Sequence, residues 1–262
     1  MMTHHSSTPN ADIPSATVSD ERNRDEQDPS KIRAMFDRIT PTYDFLNHAL
    51  TLGIDRHWRS AAIRALGPLR GKRALDLCCG TGDITLALAR EAKDTFTTIT
   101  AVDFSPAMLA AARRKIDTLP SRDRIALIEA SVENLPALSE SFEAAIVAFG
   151  IRNVRDIPAA LSEAFRALTP GGRFCVLEFS TPRYSYIRGP YLFYLRHVLP
   201  RLGALISGDR EAYRYLNSSA EKFPSREAFA TLLRTAGFET VTWRELSGGI
   251  VTLYIADKPR AE

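Results

Sequence analysis

The sequence predicts an α/β protein with a doubly wound, mostly parallel sheet. Five short apolar runs typical of strands alternate with segments of helical periodicity, and strands joined by crossover helices pair in parallel. Two further strand candidates are joined only by Ser247-Gly248-Gly249, a link short enough for an antiparallel hairpin. The expected sheet therefore has seven strands, with an antiparallel strand at its end.

These elements follow one another along most of the chain. The strand candidates are residues 73–78, 97–102, 125–129, 144–149, 173–179, 239–246 and 250–257. The crossover helices are expected at residues 84–91, 106–117 and 157–168. No internal repeat interrupts this alternation.

Composition limits the class of protein. Of the 262 residues, 45% are hydrophobic and 25% are charged, which is ordinary for a globular protein. A net charge of +3 is too small to indicate a nucleic-acid partner. Cys78, Cys79 and Cys175 form neither a disulfide framework nor a metal-ligand spacing, so we expect a cytoplasmic protein. No apolar run reaches the roughly 18 residues of a spanning helix.

The chain divides into a tail and one domain. Residues 1–30 are polar and lack a signal-peptide core, so they are predicted to be disordered. Residues 31–262 are predicted to form a single domain. Within it, residues 31–66 have the pattern of a helical cap with a break at Thr40-Pro41, and residues 184–222 that of a helical lid.

A glycine-containing turn follows the first strand. Gly80 and Gly82 allow close approach of the backbone to a ligand, and a helix begins after them. A dinucleotide site would require a third glycine where Thr85 stands. Asp76, near the end of the strand, is placed to reach an ammonium group. Together these features favour S-adenosylmethionine over NAD as cofactor.

The next two strand ends supply further candidates for the same site. Asp103 is placed to accept both ribose hydroxyls of a nucleoside, and Phe104 to flank its adenine. Ser131 and Val132 follow the third strand, where a hydroxyl and a backbone amide would meet the adenine edge. Each feature alone is compatible with a tight turn or a solvated loop. Their succession along the strand ends favours one site.

Several segments carry a resemblance to a known family. They are Tyr43-Asp44-Phe45-Leu46-Asn47, Trp58-Arg59, Gly80-Thr81-Gly82-Asp83, Phe149-Gly150-Ile151-Arg152-Asn153-Val154, Leu177-Glu178-Phe179-Ser180-Thr181-Pro182, Tyr213-Arg214-Tyr215-Leu216, Phe223-Pro224, Ala236-Gly237-Phe238 and Leu246-Ser247-Gly248-Gly249-Ile250. Over residues 31–257 the chain resembles the ubiquinone/menaquinone biosynthesis C-methyltransferases. The resemblance implies the class I fold of S-adenosylmethionine-dependent methyltransferases, which is Rossmann-like.

The resemblance also implies cofactor contacts. They are expected at Thr81, Asp103 and the pair Ser131-Val132. A further contact position holds Ala148 where the family usually has serine, so only the backbone of Ala148 remains to contribute.

The implied reaction is methylation of a ring carbon of demethylmenaquinol. The same methylation of 2-methoxy-6-polyprenyl-1,4-benzoquinol, or of both quinols, remains open. Arg152 is the candidate to stabilise phenolate charge, because a guanidinium stays protonated. Asn153 is expected to hold a ring oxygen or a water, and Tyr43, Asp44 and Asn47 of the cap to close over the cofactor and the ring. Alternatively, Arg152-Asn153 is a structural loop and Tyr43 only packs the cap.

The expected partner is a prenylated quinol. The aromatic segment at residues 184–207 is compatible with three roles. It could form an apolar passage for the tail of the quinol at a membrane surface, a helix packed on the core, or a homodimer contact. His48, His57 and His197 lack partners at metal-ligand spacing, so no metal is expected.

Two functions of other classes are less favoured. A non-catalytic cofactor-binding scaffold is disfavoured by the intact Thr81, Asp103 and Arg152. An NAD-dependent dehydrogenase is disfavoured by the missing third glycine.

Overall fold

A computed structural model describes residues 28–67, 72–91, 96–137, 139–199, 201 and 209–261. Seven strands form one sheet: β1 (Lys72–Leu77), β2 (Phe96–Asp103), β3 (Ile125–Glu129), β4 (Phe142–Ala148), β5 (Leu168–Phe179), β6 (Thr240–Leu246) and β7 (Val251–Asp257). Their order is β3-β2-β1-β4-β5-β7-β6, and β7 runs antiparallel to both β5 and β6. The predicted mostly parallel sheet with an antiparallel strand is confirmed, with β7 lying inside the edge strand β6.

Eight α-helices surround the sheet within the described ranges. They are α1 (Pro29–Leu50), α2 (Ile54–Ala65), α3 (Asp83–Glu91), α4 (Pro106–Ile116), α5 (Ile157–Ala167), α6 (Ser185–Phe193), α7 (Arg210–Lys222) and α8 (Glu227–Thr235). A π-helical segment, Tyr194–Val198, continues α6. Buried side chains of α2, α3 and α4 pack on one face of the sheet, and those of α5 and α8 on the other. The sheet is therefore doubly wound.

The predicted helix break at Thr40-Pro41 is wrong. Helix α1 continues through Pro41 and ends at Leu50, and the chain turns at residues 51–53, where Gly53 has φ +75°. Proline removes one backbone hydrogen bond. The Thr40 hydroxyl donates to the carbonyl of Phe36 at 2.7 Å in the same turn. Phe36 and Ile39, just before the proline, are buried, and this burial stabilises the continuous helix.

The predicted tail, residues 1–30, overlaps the start of α1. Residues 1–27, for which the sequence predicts disorder, lie outside the described residues. Asp28 caps the helix, accepting a hydrogen bond from the amide of Ser30 at 2.9 Å, and Pro29 occupies the first helical position. Asp-Pro-Ser is a helix-start signal, so the boundary belongs two residues earlier than predicted.

The cap and the lid meet in a small apolar cluster separate from the two sheet faces. Its buried members are Ile32, Met35, Phe36 and Ile39 of α1, Met108 of α4 and Ala212 of α7. We call these six residues the cap–lid cluster. An ion pair between Arg38 and Asp209, at 3.0 Å, joins the same elements. Among the described residues, no helix has the length and apolar character to cross a bilayer.

Candidate active site

A cleft of about 900 Å³, partly open to solvent, lies where β1, β2, β3 and β4 end. Its walls come from the residues that follow those strands and from the cap. β1 and β4 are neighbours in the sheet although β2 and β3 intervene in sequence. Ligands of doubly wound proteins bind at this reversal of strand order.

The turn after β1 shapes one wall of the cleft. Gly80 and Gly82 have φ of +54° and +84°, and Cys78, without the freedom of glycine, has φ +53°. A Cβ on Gly82 would lie 3.1 Å from the Cβ of Ala112, so the second glycine lets α4 pack closely. Gly80 and Thr81 line the cleft, whereas Gly82 is not among its lining residues.

Asp103, at the end of β2, is fixed by backbone donors. Its Oδ2 accepts from the amide of Gly80 at 2.8 Å, and its Oδ1 accepts from the amide of Ser105 at 2.9 Å. Burial raises the pKa of Asp103, and these two hydrogen bonds partly offset the effect. A carboxylate has further acceptor sites, so Asp103 in the cleft wall fits a ribose diol.

The predicted adenine contacts Phe104, Ser131 and Val132 line the cleft, and so does Ala148, the further predicted cofactor contact. The Phe104 ring meets the edge of Phe36 of the cap, with centroids 6.4 Å apart. Ser131 is exposed, and its hydroxyl accepts from the amide of Glu133 at 3.2 Å and donates to the Glu133 carboxylate at 3.1 Å.

Asp76 lies deeper than the other candidates. It is 1% exposed, its Oδ2 accepts from the Thr85 hydroxyl at 2.5 Å, and it is not among the residues that line the cleft. Burial raises the pKa of Asp76 to about 7, although the bond from Thr85 opposes the shift. Contact of Asp76 with an ammonium group stays a prediction.

Arg152 and Asn153 occupy a short turn after β4. The Nη1 of Arg152 donates to Oε1 of Glu178 at 2.7 Å and to the carbonyl of Phe149 at 2.6 Å, and its guanidinium stacks on the Phe179 ring. Asn153 lines the cleft, whereas Arg152 is not among the lining residues. The Nε of Arg152 and the Oδ1 of Asn153 are buried without a hydrogen-bond partner among the described residues.

Two tyrosine hydroxyls lie within electrostatic range of Arg152. Tyr43 lines the cleft, and burial raises its pKa while the charge of Arg152 opposes the rise. Burial likewise raises the pKa of Tyr191 in α6, again opposed by Arg152. The positive charge of Arg152 therefore acts on one tyrosine of the cap and on one tyrosine of the lid.

A polar network ties the cap to the turn after β1. Asp44 of α1 accepts a short hydrogen bond from the Thr81 hydroxyl and pairs with Lys115 at 2.5 Å. Lys115 also pairs with Asp83 at 3.0 Å. Burial would raise the pKa of Asp83, but the charges of Arg59 and Lys115 outweigh it and lower that pKa.

His48, Asp55 and Asp83 form a cluster that the sequence analysis missed. One ligand atom from each lies within 4.8 Å of the others. His48 Nδ1 is 2.8 Å from Asp55 Oδ2, and the Arg59 guanidinium is 3.4 Å from the same oxygen. The cationic partners Arg59 and Lys115 already balance these carboxylates, so the cluster is an ion-pair network.

Comparison with known proteins identifies the family. Residues 23–258 match the model of the ubiE/COQ5 methyltransferase family. The chain belongs to this family. It is 49% identical to a ubiquinone/menaquinone biosynthesis C-methyltransferase of Syntrophotalea carbinolica, over 88% of this chain and 96% of the relative. It is 40% identical to a demethylmenaquinone methyltransferase of Clavibacter sepedonicus, over 88% and 91% of the two chains.

A solved structure shows the same fold. A Thermotoga maritima protein described as a SAM-dependent methyltransferase, possible histamine N-methyltransferase, superposes with a TM-score of 0.61 at 23% identity, over 87% of this chain and 99% of that one. This ubiE/COQ5 family member has the class I fold and is an S-adenosylmethionine-dependent C-methyltransferase. The Asp103 carboxylate and the glycine turn fit the nucleoside of that cofactor, and Thr81 lies beside them.

Several residues of this methyltransferase escaped the sequence analysis. Asp44 and Glu178 stand inside the segments that carry the resemblance; Asp44 was expected to close over the cofactor and the ring but not to bind Thr81, and no role was expected for Glu178. An acidic residue within an apolar strand, as Glu178 is in β5, signals a buried partner. Lys115 gave no such signal, because a lysine near the end of a helix is common on surfaces.

The two cysteines of the turn are inert. Burial raises the pKa of Cys78 and of Cys79 well above the usual value, so both thiols stay protonated. A Cβ on Gly150 would lie 2.4 Å from the Cβ of Cys78. Cys78 therefore serves packing, and glycine is required opposite it.

Proposed function

We propose that this methyltransferase transfers a methyl group to a ring carbon of demethylmenaquinol to give menaquinol. The names of both curated relatives include menaquinone chemistry. The observation that carries the proposal is the Oδ1 of Asn153, a buried acceptor without a partner in a cleft wall beside Arg152. A quinol hydroxyl is a donor that would satisfy it.

The proposed mechanism begins with charge on the substrate oxygen. S-adenosylmethionine supplies an electrophilic methyl group on a sulfonium. A quinol becomes more nucleophilic at carbon as its hydroxyl ionises, and a phenol ionises near pH 10. Asn153 would accept from the neutral hydroxyl and orient it, and when that proton passes to water the positive charge of Arg152 would stabilise the anion. Glu178 would hold the guanidinium in place.

The cleft would also position the ring and exclude water. Phe36, Tyr43, Phe104, Phe149 and Val154 give it an apolar lining. A flat ring held between such side chains loses little freedom during reaction, which is how positioning lowers a barrier. Tyr43 would close the cap side over the ring.

The side chain of Asn153 can be tested alone. Replacement by alanine is expected to lower kcat/KM for the quinol by about 3- to 10-fold, the effect of losing one hydrogen bond from a neutral hydroxyl, with cofactor Kd unchanged. Asn134→Ala, on the exposed surface, is the matched control. Unchanged kcat/KM in Asn153→Ala would remove this residue from the mechanism.

The alternative substrate is 2-methoxy-6-polyprenyl-1,4-benzoquinol, or both quinols. It is favoured by the name of the first relative, which covers ubiquinone as well as menaquinone. Purified protein with S-adenosylmethionine and each chemically reduced quinol would decide. Methylation of the naphthoquinol alone supports the proposal, methylation of both supports a dual role, and methylation of the benzoquinol alone contradicts the proposal.

We further propose that the cap and lid rest on a membrane surface. The described large apolar side chains that are exposed all lie in these two elements: Phe45, Leu52, Ile54, Tyr184, Tyr186 and Phe193. Exposed apolar side chains on these two elements suit a bilayer that dissolves prenylated quinols, or a second copy of the chain. Flotation with liposomes is the test. A protein that remains unbound and elutes as a dimer would favour the homodimer instead.

A further inference from the structure

Arg59 of α2 lines the cleft, and neither the proposed reaction nor the ion pairs of the cap account fully for it. Its Nε lies 3.4 Å from Asp55 Oδ2, and its Nη2 lies 3.5 Å from Asp83 Oδ2. The guanidinium carbon is 5.4 Å from the centroid of the Phe149 ring. The side chain is therefore held between the residues that follow β1 and those that follow β4.

This position corresponds to one end of the cofactor. The predicted adenine contacts follow β2 and β3, and the predicted ribose contact, Asp103, lies at the end of β2 next to β1. A ligand that continues in the same direction across the sheet places its amino-acid end over β1 and β4. Arg59 stands at that end.

The ion pairs of Arg59 leave donors for a ligand. Charge-assisted hydrogen bonds between guanidinium and carboxylate are about 2.7–2.9 Å long, and both contacts of Arg59 are longer. A guanidinium has five N–H donors. Lys115, the other cation of the network, pairs at 2.5 Å and 3.0 Å and is not among the cleft-lining residues.

The charge of the network suits a zwitterionic ligand end. Asp44, Asp55 and Asp83 face Arg59, Lys115 and the His48 ring, so acidic and basic side chains lie together at this end of the cleft. A methionine moiety with a sulfonium carries two positive groups and one carboxylate. Asp83 in the wall is placed to balance the positive groups, and Arg59 to balance the carboxylate.

We propose that Arg59 binds the α-carboxylate of the methionine moiety of the cofactor. A planar guanidinium stacked on Phe149 is preoriented for a two-bond contact with a carboxylate. This contact involves only the amino-acid end of the ligand, so the proposal does not depend on which quinol is methylated.

The experiment compares two ligands on the wild-type protein by calorimetry. S-adenosylhomocysteine keeps the carboxylate, whereas S-adenosyl-3-thiopropylamine lacks only that group. The wild type is expected to bind the first about 10- to 100-fold more tightly. Equal affinity for the two ligands would overturn the proposal even before a variant is made.

Variants then assign the effect to a residue. Arg59→Met is expected to lose about 10- to 100-fold in affinity for S-adenosylhomocysteine and little for the decarboxylated ligand, so the preference disappears. Arg59→Lys should keep part of it. Arg56→Met, exposed on the same helix, is the matched control and should behave as wild type.

Two outcomes would contradict the role of Arg59. An equal loss for both ligands in Arg59→Met would mean that the residue only shapes the cleft. The other cation in the lining is Arg155. A preference that survives in Arg59→Met and disappears in Arg155→Met would assign the carboxylate to Arg155. Since no quinol is present, neither outcome bears on the methyl acceptor.

Discussion

The side chains of Arg152 and Glu178 are 4% and 0% exposed, so they form a buried ion pair behind the cleft. Burial raises the pKa of Glu178, and the charge of Arg152 opposes the rise. Glu178 also accepts from the amide of Phe179 at 2.8 Å. The carboxylate therefore fixes both the charge and the direction of the guanidinium, and Glu178 is a positioning residue for Arg152.

Replacing Glu178 by glutamine is expected to destabilise the fold by about 3–5 kcal/mol, because the buried guanidinium loses its counter-charge. Chemical denaturation measures this change. The double variant Arg152→Met with Glu178→Met removes both charges, and it should be less destabilised than the sum of the two single methionine variants.

An exposed ion pair provides the matched control. Arg196 and Glu221 are 2.9 Å apart with side chains 56% and 31% exposed. Glu221→Gln should cost less than about 1 kcal/mol. If Glu178→Gln cost no more than this control, the buried pair would not hold the turn after β4.

Asp76 makes stability depend on pH. Its folded-state pKa is about 7, above the ordinary value of 3.8, so the folded protein retains a proton that the unfolded chain releases. This contribution is complete below pH 3.8 and is lost as the pH rises through 7. Between pH 5 and pH 8 the free energy of unfolding is expected to fall by about 2 to 3 kcal/mol because of Asp76.

Asp76→Asn removes the titration and keeps an acceptor for the Thr85 hydroxyl. The expected result is a smaller fall in unfolding free energy from pH 5 to pH 8 than in wild type. Parallel curves for the two proteins would show that the carboxyl does not titrate in this range. Denaturation at each pH, without ligand, gives both curves.

Single residues were predictable where topology alone determines their place. Thr81, Asp103, Ser131, Val132 and Ala148 follow successive strands, so they were expected in one cleft and they line one cleft. The partners Asp44 of Thr81 and Glu178 of Arg152 were not predicted. Their contacts join distant segments of the chain, and no local pattern encodes which distant side chain will be near.

At the scale of elements, the turns after β1 and β4 fit together through one small residue. Gly150 faces the side chain of Cys78, and Phe149 beside it has φ +60°, a conformation that glycine adopts more easily. Strained backbone of this kind is kept where surrounding packing enforces it. The two turns therefore hold one another in the shape that lines the cleft.

Gly150→Ala is expected to destabilise the protein by about 1–3 kcal/mol and to weaken cofactor binding, because its Cβ would lie 2.4 Å from that of Cys78. Adding Cys78→Gly removes that clash and the positive φ of a non-glycine residue, so the double variant should recover part of both losses. Thermal unfolding and calorimetry with S-adenosylhomocysteine measure them.

Gly189 is the control for this substitution. It lies in α6 before Pro190, and beyond its chain neighbours and its own helix no atom lies within 4 Å of the place that an added Cβ would take, so alanine there should cost less than at Gly150. If Gly150→Ala behaved like Gly189→Ala, the turn after β4 would be free to move away from Cys78.

Element types were predictable because apolar periodicity reflects burial. The crossover helices α3, α4 and α5 and the strand β3 agree with prediction to within about one residue. Helix α1 was the exception, because proline is a strong break signal in isolation. Burial of one continuous face in the cap–lid cluster outweighs that signal, and such burial is a property of the folded molecule.

For the whole molecule, the alternation of strands and helices predicted a parallel sheet, and the cap was expected to close over the cofactor and the ring, but no pattern predicted the contact between cap and lid. The cap–lid cluster joins helices that are distant in sequence. It is small beside the two clusters that cover the sheet. The cap is therefore expected to open at lower free energy than the sheet.

Ile39→Ala and Leu75→Ala separate these two levels of stability. Both residues are at most 1% exposed, one in the cap–lid cluster and one in the sheet. Each substitution should lower the free energy of unfolding of its own region by about 2–5 kcal/mol. Hydrogen exchange should accelerate in α1 alone for Ile39→Ala and throughout the sheet for Leu75→Ala. Uniform acceleration in Ile39→Ala would mean that the cap and the sheet open as one unit.

The strand order has a consequence for the connectivity of the chain. Strands β1 to β3 and strands β4 to β7 form two contiguous halves of the sheet, joined by the pairing of β1 with β4 and by α2, which precedes β1 in sequence and packs on β4, β5 and β7. A cut between β3 and β4 would leave each fragment with its own strands intact. The cleft takes walls from both fragments, so S-adenosylhomocysteine would bind only the reassembled pair. The fraction of fragments that reassemble should therefore rise with its concentration.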